Sequence, residues 1–536
     1  MIFTNEKSTL VRAAALGTVA LLVAACGGAD DGSAMGSGAI ASVSQAESGD
    51  LAPLSTVPVP QAIGGDIRDQ AAAVRLGKAF FWDVQVGGDG VTACASCHFQ
   101  GGADNRLLNT LNPGPDGIFN SGGVTAAGQL FTPSNIVNDD RVGSQGVVGT
   151  IFVSINPDPA VAADTCTPDQ TAPFFANRRV TGRNAPSVIG AVFARDAFWD
   201  GRANHQFNGV DPFGFTGNAG GSFTSIGNGA LASQATGPVN NSTEMSCANR
   251  AFNGAGSVGA KLLARRPLQF QAVSTTDSVL GALAQAGGGL NTTYQAMIDA
   301  AFNAPVAAVS LAQFSRIWGQ AVQAYEATLI PDQTPLDKYL AGNKSALTSN
   351  QQRGLDRFTG KGNCTKCHAG PELTDASVGF AAAQGLINED GGDQGFHNLG
   401  VRPTAEDLGR AGLGPNNVSF SVSGSARDQG AFKTAGLRNV KLNAPYFHNG
   451  GKKTLADVVA FYNAGGDFAN PGQKASRIKP LSLDAGDQAA LVDFLTNGLT
   501  DCRTEKQRAP FDHPALPLPN GTALPAVGAA GTGSCP

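Results

Sequence analysis

Charged side chains are scarce in this sequence of 536 residues. Only 15% of the residues are Asp, Glu, Lys or Arg, and 37 basic residues stand against 42 acidic ones. No basic surface for nucleic acid is indicated, and we expect no partner of that class. Tyrosine and tryptophan are also rare, at 5 and 3 residues, whereas glycine is frequent at 70. That balance predicts long ordered loops between short helices.

The apolar run near the start is too short to remain in a membrane as a spanning helix. It extends from Ala13 to Ala25, follows Lys7 and Arg12, and ends in Val23-Ala24-Ala25-Cys26. This pattern predicts a lipoprotein signal peptide over residues 1–26, with a lipid anchor at Cys26 as the only membrane contact. An ordinary signal peptide cleaved nearby is the alternative. Either way we expect a bacterial periplasmic protein, on the first reading anchored to the outer membrane, with a flexible tether over residues 27–56.

Two copies of one five-residue motif carry the chemistry. Cys94-Ala95-Ser96-Cys97-His98 returns as Cys364-Thr365-Lys366-Cys367-His368. Two cysteines at this spacing reach the vinyl groups of a haem as thioethers, and the adjoining histidine becomes the proximal ligand of the iron. A zinc site would need a second metal-spaced pair for each copy, and the sequence has none. The motifs therefore predict two covalently bound haem c groups.

Helical patterns surround both motifs. Apolar residues recur at helical spacing over 72–81 and 351–358, before the motifs, and over 314–329 and 485–495, at the ends of the two halves. Ser349 with Gln352 is a candidate capping box for one of these helices, and Thr454 with Asp457 caps another. The pattern predicts a mainly α fold with two cytochrome c-like haem domains and long irregular loops, over residues 57–330 and 331–508, followed by an irregular tail over 509–536.

Besides Cys26, four cysteines lie outside the motifs, and an oxidising compartment permits disulfides among these four. They allow three pairings. A bond between Cys166 and Cys247 would staple the first domain, and one between Cys502 and Cys535 would close the last loop.

The motifs, in this order, resemble the bacterial di-haem cytochrome c peroxidase family, which includes MauG, the enzyme that matures methylamine dehydrogenase. The resemblance covers residues 76–495. It depends on the two haem motifs and on three further blocks: Phe198-Trp199-Asp200-Gly201-Arg202-Ala203, Leu437-Arg438-Asn439-Val440 and Ala444-Pro445-Tyr446-Phe447-His448. It implies a peroxide-reactive haem at His98 and a second haem at His368 that takes electrons.

The resemblance also implies roles for residues outside the motifs. Gln234, Pro238 and Glu244 match the register of the family's distal residues, with Glu244 as the acid-base group for cleavage of the O–O bond. Trp199 matches an indole that relays electrons between the haems. Arg202 is expected to bind a haem propionate or another carboxylate. The plain alternatives are a solvated loop carboxylate for Glu244 and a core residue for Trp199.

The departures from the family pattern concern the ligands. Many members place a distal Met seventeen residues after the position of Pro445, but here that position is Tyr462. A tyrosine ligand is what MauG has, and the alternative is that Tyr462 packs with its helix neighbours. A calcium ion between the haems is implied at Asn184, Asn443 and Pro445, although Asn443 replaces the usual Thr. No histidine lies between His98 and His205, which implies an open peroxide site without reductive activation.

The function predicted from these features is reduction of hydrogen peroxide with electrons from a small cytochrome or a cupredoxin. Three alternatives remain: MauG-like oxidation of a protein substrate, a di-haem oxygenase of the polyisoprene-cleaving type, and an electron-transfer cytochrome without enzymatic activity. His397 and His448 are interpreted as structural or propionate partners, and His205 and His513 receive no role. The insertion over residues 208–229 is expected near the peroxide entrance.

Overall fold

The computed structural model describes residues 51–120, 135–171, 177–214 and 225–536. The predicted signal peptide, Cys26 and most of the tether lie outside these ranges, as does the middle of the 208–229 insertion. Helices and loops predominate over short strands, as the composition indicated. The α-helices are Gln70–Trp82 (α1), Ala95–His98 (α2), Ala230–Thr236 (α3), Val258–Leu263 (α4), Tyr294–Ala301 (α5), Ala304–Ala307 (α6), Phe314–Glu326 (α7), Pro335–Leu340 (α8), Ser349–Thr359 (α9), Val378–Gln384 (α10), Leu455–Ala464 (α11), Ala485–Asp493 (α12) and Cys502–Glu505 (α13).

The remaining regular structure consists of single turns and paired strands. Helix α12 continues as a π-helical segment over Phe494–Gly498. Turns of 3-10 helix are Leu54–Thr56, Val84–Val86, Ala191–Phe193, Pro238–Asn240, Gly281–Leu283, Lys344–Ala346, Cys364–Lys366, Thr404–Glu406, Pro415–Asn417, Ala426–Asp428 and Val440–Leu442. The strands are Leu111–Asn112 (β1), Arg141–Val142 (β2), Gln145–Val148 (β3), Thr150–Ser154 (β4), Thr165–Pro168 (β5), Arg178–Val180 (β6), Phe396–His397 (β7) and Phe432–Lys433 (β8). They pair antiparallel as β1–β2, β3–β6, β4–β5 and β7–β8.

Two large hydrophobic clusters organise the described residues. The first contains the apolar faces of α1, α5 and α7, where the Phe80 ring lies 4.7 Å from Trp318 and 4.9 Å from Tyr294. The second is built around α9, α11 and α12, with Phe358 against Phe494 at 5.6 Å. Each fully buried side chain of this size contributes about 1.5–3 kcal/mol. Each cluster lies beside one haem motif.

The helix before each motif crosses the closing helix of its cluster at a glycine. A Cβ atom added at Gly77 in α1 would lie 1.8 Å from the carbonyl oxygen of Ala321 in α7. One added at Gly354 in α9 would lie 2.2 Å from the carbonyl oxygen of Ala490 in α12. No side chain larger than that of glycine fits at either crossing, so both halves use the same close contact between two helices at a glycine.

Helix starts follow their caps, with one correction to the sequence prediction. Thr454 and Asp457 form a capping box at the start of α11, as predicted. The box at the start of α9 consists of Thr348 and Gln351, so the predicted pair of Ser349 and Gln352 is wrong by one residue. Both registers offer a hydroxyl followed three residues later by an amide, and only tertiary packing distinguishes them. Helix α8 was not predicted from the sequence; Thr334 caps it and Pro335 is its first residue.

The C-terminal residues return to the first cluster. Residues 509–536 contain no helix or strand, yet Phe511, Leu516 and Leu518 are buried with the side chains of α1 and α7. Two disulfides, Cys166–Cys247 and Cys502–Cys535, confirm the pairing favoured from the sequence. Among the described helices, none combines the length and apolar character that a membrane crossing requires.

Candidate haem sites and the residues between them

The first motif presents one imidazole nitrogen for an iron. Cys94 precedes the short helix α2, which ends at His98. The Nδ1 atom of His98 lies 2.9 Å from the carbonyl oxygen of Gly102. A carbonyl can only accept a hydrogen bond, so Nδ1 carries the proton and Nε2 is left as a ligand atom. This arrangement fits a proximal haem ligand.

The second motif lines a cavity of about 310 Å³. Its histidine repeats the arrangement of the first, because Nδ1 of His368 lies 3.2 Å from the carbonyl oxygen of Leu373. Cys364, Cys367 and His368 line the cavity together with side chains of α9, α11 and α12. A cavity of this size, bounded by two thiols, an imidazole and mostly apolar side chains, fits a covalently attached haem.

Tyr462 in α11 lines the same cavity. Burial raises the pKa of its phenol, and the nearby thiols of Cys367 and Cys364 raise this pKa further. Leu455 and Val459 of the same helix also line the cavity, so the helix presents Tyr462 on its inner face. Tyr462 is thus brought together with both attachment cysteines of the second motif.

Glu244 is brought to the first motif. It lies in a loop whose backbone contacts β3: Val147 N donates to the Thr243 carbonyl at 3.1 Å. Burial raises the pKa of Glu244, and the guanidinium of Arg202 opposes this shift. Its charge acts in turn on the thiols of both Cys94 and Cys97. The carboxyl group therefore lies within electrostatic reach of the place where the first haem would be attached.

Gln234 and Pro238 flank a turn that packs against the Phe198–Arg202 block. Helix α3 ends just after Gln234, and Pro238 begins the next turn. A Cβ atom added at Gly237, between them, would lie 3.4 Å from the Phe198 ring. Arg202 stacks over this ring at 4.0 Å and pairs with Asp200 at 2.9 Å. The structure thus brings these residues to one region, where the Arg202 guanidinium pairs with the Asp200 carboxylate.

Trp199 and Asn184 connect the two motifs. The indole Nε1 of Trp199 donates to the Asn184 carbonyl at 2.8 Å, and Trp199 lines the cavity of the second motif. Two residues after Asn184, the backbone of Pro186 lies close to His98 and favours its protonated form, although burial lowers the pKa of His98 overall. One short segment, residues 184–186, therefore contacts the relay candidate on one side and the first haem ligand on the other.

The calcium candidates also converge. The side-chain amide of Asn184 lies 2.5 Å from the carbonyl oxygen of Pro445, and both residues line the cavity with Asn443. The side-chain oxygen of Asn443 is buried without a hydrogen-bond partner. Amide and carbonyl oxygens suit Ca²⁺, and turning the Asn184 amide would present its oxygen to the same point. These three residues therefore fit an oxygen-ligated cation.

The remaining histidines have protein partners. His448 stacks on Phe432 at 3.5 Å, and burial lowers its pKa to about 3. The Nε2 atom of His397 lies 2.7 Å from a carboxylate oxygen of Asp375, and Cys367 is close to both. A thioether at Cys367 would leave that group without a thiolate ligand for a metal.

The two histidines without a predicted role are also engaged. The Nδ1 atom of His205 lies 2.9 Å from a carboxylate oxygen of Asp196. His513 stacks on Trp82 at 4.7 Å. Both contacts join segments that are distant in sequence or lie in loops, so local sequence patterns do not predict them.

The sequence prediction missed two ionisable residues near the haem motifs. Glu326 at the end of α7 is only 5% exposed, burial raises its pKa to about 8, and it acts on Cys94. The signal for it was present, since a lone acid follows Tyr325 at the end of an apolar helix face. Lys433 lines the second cavity, where burial lowers the pKa of its amine to about 8.

Comparison with known proteins agrees with this arrangement of two haem motifs. A family model described as "Di-haem cytochrome c peroxidase" matches residues 71–345, just over half of the chain. The chain belongs to the di-haem cytochrome c peroxidase family. This membership implies two haem c groups.

Individual relatives are similar over different lengths. Cytochrome-c peroxidase IdrP2 of Denitromonas iodatirespirans is 36% identical over 200 residues, 34% of this chain and 47% of that protein. Cytochrome-c peroxidase IdrP1 of Pseudomonas sp. (strain SCT) is 25% identical over 459 residues, 83% of this chain and 84% of that protein. The chain thus spans about half the length of some relatives and most of others. The diheme peroxidase BthA from Burkholderia thailandensis E264 has 19% identity and a TM-score of 0.44, over 88% of this chain and 100% of that chain.

Proposed function

We propose that this protein reduces hydrogen peroxide at a haem held by Cys94, Cys97 and His98, with electrons received through a second haem held by Cys364, Cys367 and His368. The observation that carries the proposal is the asymmetry between the motifs. A carboxyl group with a raised pKa, that of Glu244, acts electrostatically on both thiols of the first motif. A phenol and an apolar cavity face the second.

Bound haem would supply the redox chemistry, namely an iron that gives electrons to peroxide at the first site and accepts them at the second. The protein supplies proton handling and positioning. Glu244 takes the proton from the inner oxygen of hydrogen peroxide and returns it to the outer oxygen, which leaves as water. Its raised pKa suits both halves of that task, because a carboxylate must accept the proton and a carboxylic acid must release it.

The residues around Glu244 position it. Arg202 favours the ionised form of Glu244 and keeps part of it able to accept a proton. Gln234 and Pro238 hold the turn that packs on Phe198, next to Arg202. They form one wall of the proposed peroxide site.

Tyr462 is the proposed distal ligand of the second haem, and Trp199 the proposed electron relay. A tyrosine ligand would close the second iron on both sides, so peroxide could react only at the first. The hydrogen bond from Trp199 to Asn184 and its place on the wall of the second cavity support this relay role. Ca²⁺ held by Asn184, Asn443 and Pro445 would order the same segment.

The electron source and the location are part of the proposal. A c-type haem protein with the N-terminal signal described above would work in the periplasm, where a small cytochrome or a cupredoxin can donate electrons. Tyr462 favours a second candidate, oxidation of a residue in a protein substrate as in MauG.

The test is the electron paramagnetic resonance spectrum of the oxidised protein with its haem content. We expect two haems per chain, one high-spin and one low-spin. Tyr462→Met should change the low-spin signal alone, and Glu244→Gln should leave both haems bound. Two identical low-spin signals would mean an electron carrier, and a single haem would overturn the proposal.

Substrate assays distinguish the enzymatic alternatives. Peroxide consumption with a reduced small cytochrome supports the peroxidase. Oxygen consumption on polyisoprene without peroxide turnover would indicate the oxygenase, for which Glu244 has no evident use. Peroxide-dependent cross-linking or hydroxylation of a protein, with no turnover of the cytochrome, would indicate the MauG-like activity.

A further inference from the structure

Lys433 lies on the wall of the second cavity. It belongs to β8 and is half-buried, and its backbone N–H donates to the carbonyl oxygen of Trp199 at 2.8 Å. Lys433 and Trp199 both line the cavity. Among the described residues, no side chain forms a hydrogen bond or an ion pair with the Lys433 amine. A buried cation without a partner is costly, so an anion is expected there.

The nearest carboxylates are already neutralised. Asp196 and Asp200 are the charges that act on Lys433. Asp196 pairs with Arg195 at 2.6 Å and with His205 at 2.9 Å, and Arg410 lies 3.5 Å away. Asp200 has two guanidinium partners, with Arg183 at 2.6 Å and Arg202 at 2.9 Å. Lys433 is therefore surplus positive charge on the cavity wall.

The missing anion has to enter the cavity with its occupant. A haem attached at Cys364 and Cys367 brings two propionate carboxylates. We propose that the Lys433 ammonium pairs with a propionate of the second haem and fixes that edge of the porphyrin beside Trp199. This inference rests on the proposed function, because it requires a haem in the second cavity. It adds an ionic contact at the point where electrons would leave the second haem for the relay.

The pairing has an electrostatic consequence for the second iron. A cation beside the porphyrin stabilises the reduced iron relative to the oxidised one. Removing the cation should therefore shift the second haem toward the ferric form at a fixed applied potential, while the first haem keeps its ratio. A merely structural lysine would not move this equilibrium selectively.

The test compares Lys433→Met and Lys433→Arg in the protein with its haems bound. Lys441→Met is the matched control, because Lys441 lies in the same half but pairs with Glu505 at the surface. We measure the propionate bending mode by resonance Raman spectroscopy and the ferric-to-ferrous ratio of each haem by spectroelectrochemistry. Lys433→Met should shift the mode and raise that ratio at the second haem about tenfold, which equals about 59 mV for one electron. Lys433→Arg and Lys441→Met should resemble the wild type.

The outcomes separate this inference from the proposed function. If Lys433→Met binds both haems with an unchanged propionate mode and unchanged ratios, the pairing is wrong while the di-haem proposal stands. If Lys433→Met fails to bind the second haem, haem content in Lys433→Arg and Lys433→Gln decides. Recovery with Arg alone supports the ion pair, and equal recovery with Gln overturns it. A wild-type protein with one haem overturns the proposed function itself.

Discussion

The two haem motifs have the same local sequence pattern but different surroundings. Charged groups act on both thiols of the first motif: Glu326 and Glu244 on Cys94, and Arg106, Asp104 and Glu244 on Cys97. In the second motif, Cys367 acts on Cys364, His397 and Asp375 lie close to Cys367, and the cavity wall is mainly apolar. The difference teaches that the motif determines attachment, whereas chain segments distant in sequence determine the chemistry available at each iron.

The largest expected effect on the difference between the two sites comes from removing the carboxylate of Glu244, which acts on the first motif. Glu244→Gln should slow peroxide cleavage by about 10²–10⁴-fold, because the amide can neither take up nor return the proton. Stopped-flow mixing with hydrogen peroxide measures this rate. Glu326→Gln, which removes another carboxylate near the first motif, should cost far less. Equal rates in Glu244→Gln and the wild type would remove Glu244 from the mechanism.

The second expected effect concerns Glu326, the buried acid that acts on Cys94. Burial raises the pKa of Glu326 to about 8 from an ordinary value of 4.5. Below pH 4.5 the Glu326 carboxyl is protonated in both the folded and the unfolded state. Between pH 4.5 and 8 it is protonated only in the folded state, so the free energy of unfolding falls as the pH rises. Above pH 8 the carboxylate is ionised in both states, and the loss of stability caused by its burial no longer changes with pH. Glu326→Gln should therefore gain about 2–4 kcal/mol over the wild type by pH 9 and little near pH 4.5.

Thermal unfolding across this pH range measures the Glu326 effect. Glu505→Gln is the control, because Glu505 is partly exposed and its pairing with Lys441 lowers its pKa. That variant should show no gain at high pH. A constant difference between Glu326→Gln and the wild type from pH 4.5 to 9 would contradict the assigned burial effect.

A smaller expected effect concerns the influence of Arg202 on the pKa of Glu244. Arg202 opposes the upward shift of the Glu244 pKa. Arg202→Gln should raise this pKa further, by about one pH unit, so that peroxide cleavage declines at a higher pH during acidification. The pH profile of the stopped-flow rate measures the break, and Arg202→Lys should keep it near the wild-type position. A break that does not move would show that Arg202 acts only on Asp200.

The smallest expected effect compares the two disulfides. The Cys166–Cys247 bond spans 81 residues and ends three residues after Glu244, whereas Cys502–Cys535 spans 33. Because a longer closed loop restricts the unfolded chain more, replacing the first pair by Ala should cost about 0.8 kcal/mol more than replacing the second. Denaturant unfolding of the two double variants tests this difference, and a reversed order would contradict it.

Much of the site could be predicted because it is encoded in short contiguous segments. The haem motifs, the Thr454 cap and the helix before the first motif need only local spacing, and all of them occur in the structure. The sequence left three disulfide pairings open, and the structure contains Cys166–Cys247 and Cys502–Cys535. Cap registers one residue apart, such as Thr348 and Ser349, have the same chemistry and cannot be separated without the packing around them.

The residues that the sequence did not reveal depend on contacts between distant segments. Lys433 looks like an ordinary surface charge in the sequence, and although Glu326 follows an apolar helix face, its place near Cys94 depends on tertiary packing. Their burial results from α7 packing near Cys94 and from β8 pairing with β7 at the wall of the second cavity. The packing of the tail, residues 509–536, against the first cluster was not predicted either, because its three buried apolar residues show no periodic pattern.

That tail has a consequence for how the polypeptide is assembled. Phe511, Leu516 and Leu518 complete the core beside the first motif, and the Pro519 carbonyl accepts hydrogen bonds from Gln145 and Arg106. The hydrophobic core beside the first motif is therefore incomplete until the C-terminal residues are present. A fragment ending before residue 509 would leave apolar surface uncovered beside His98, so the halves of this protein are not interchangeable modules that recombination could trade intact.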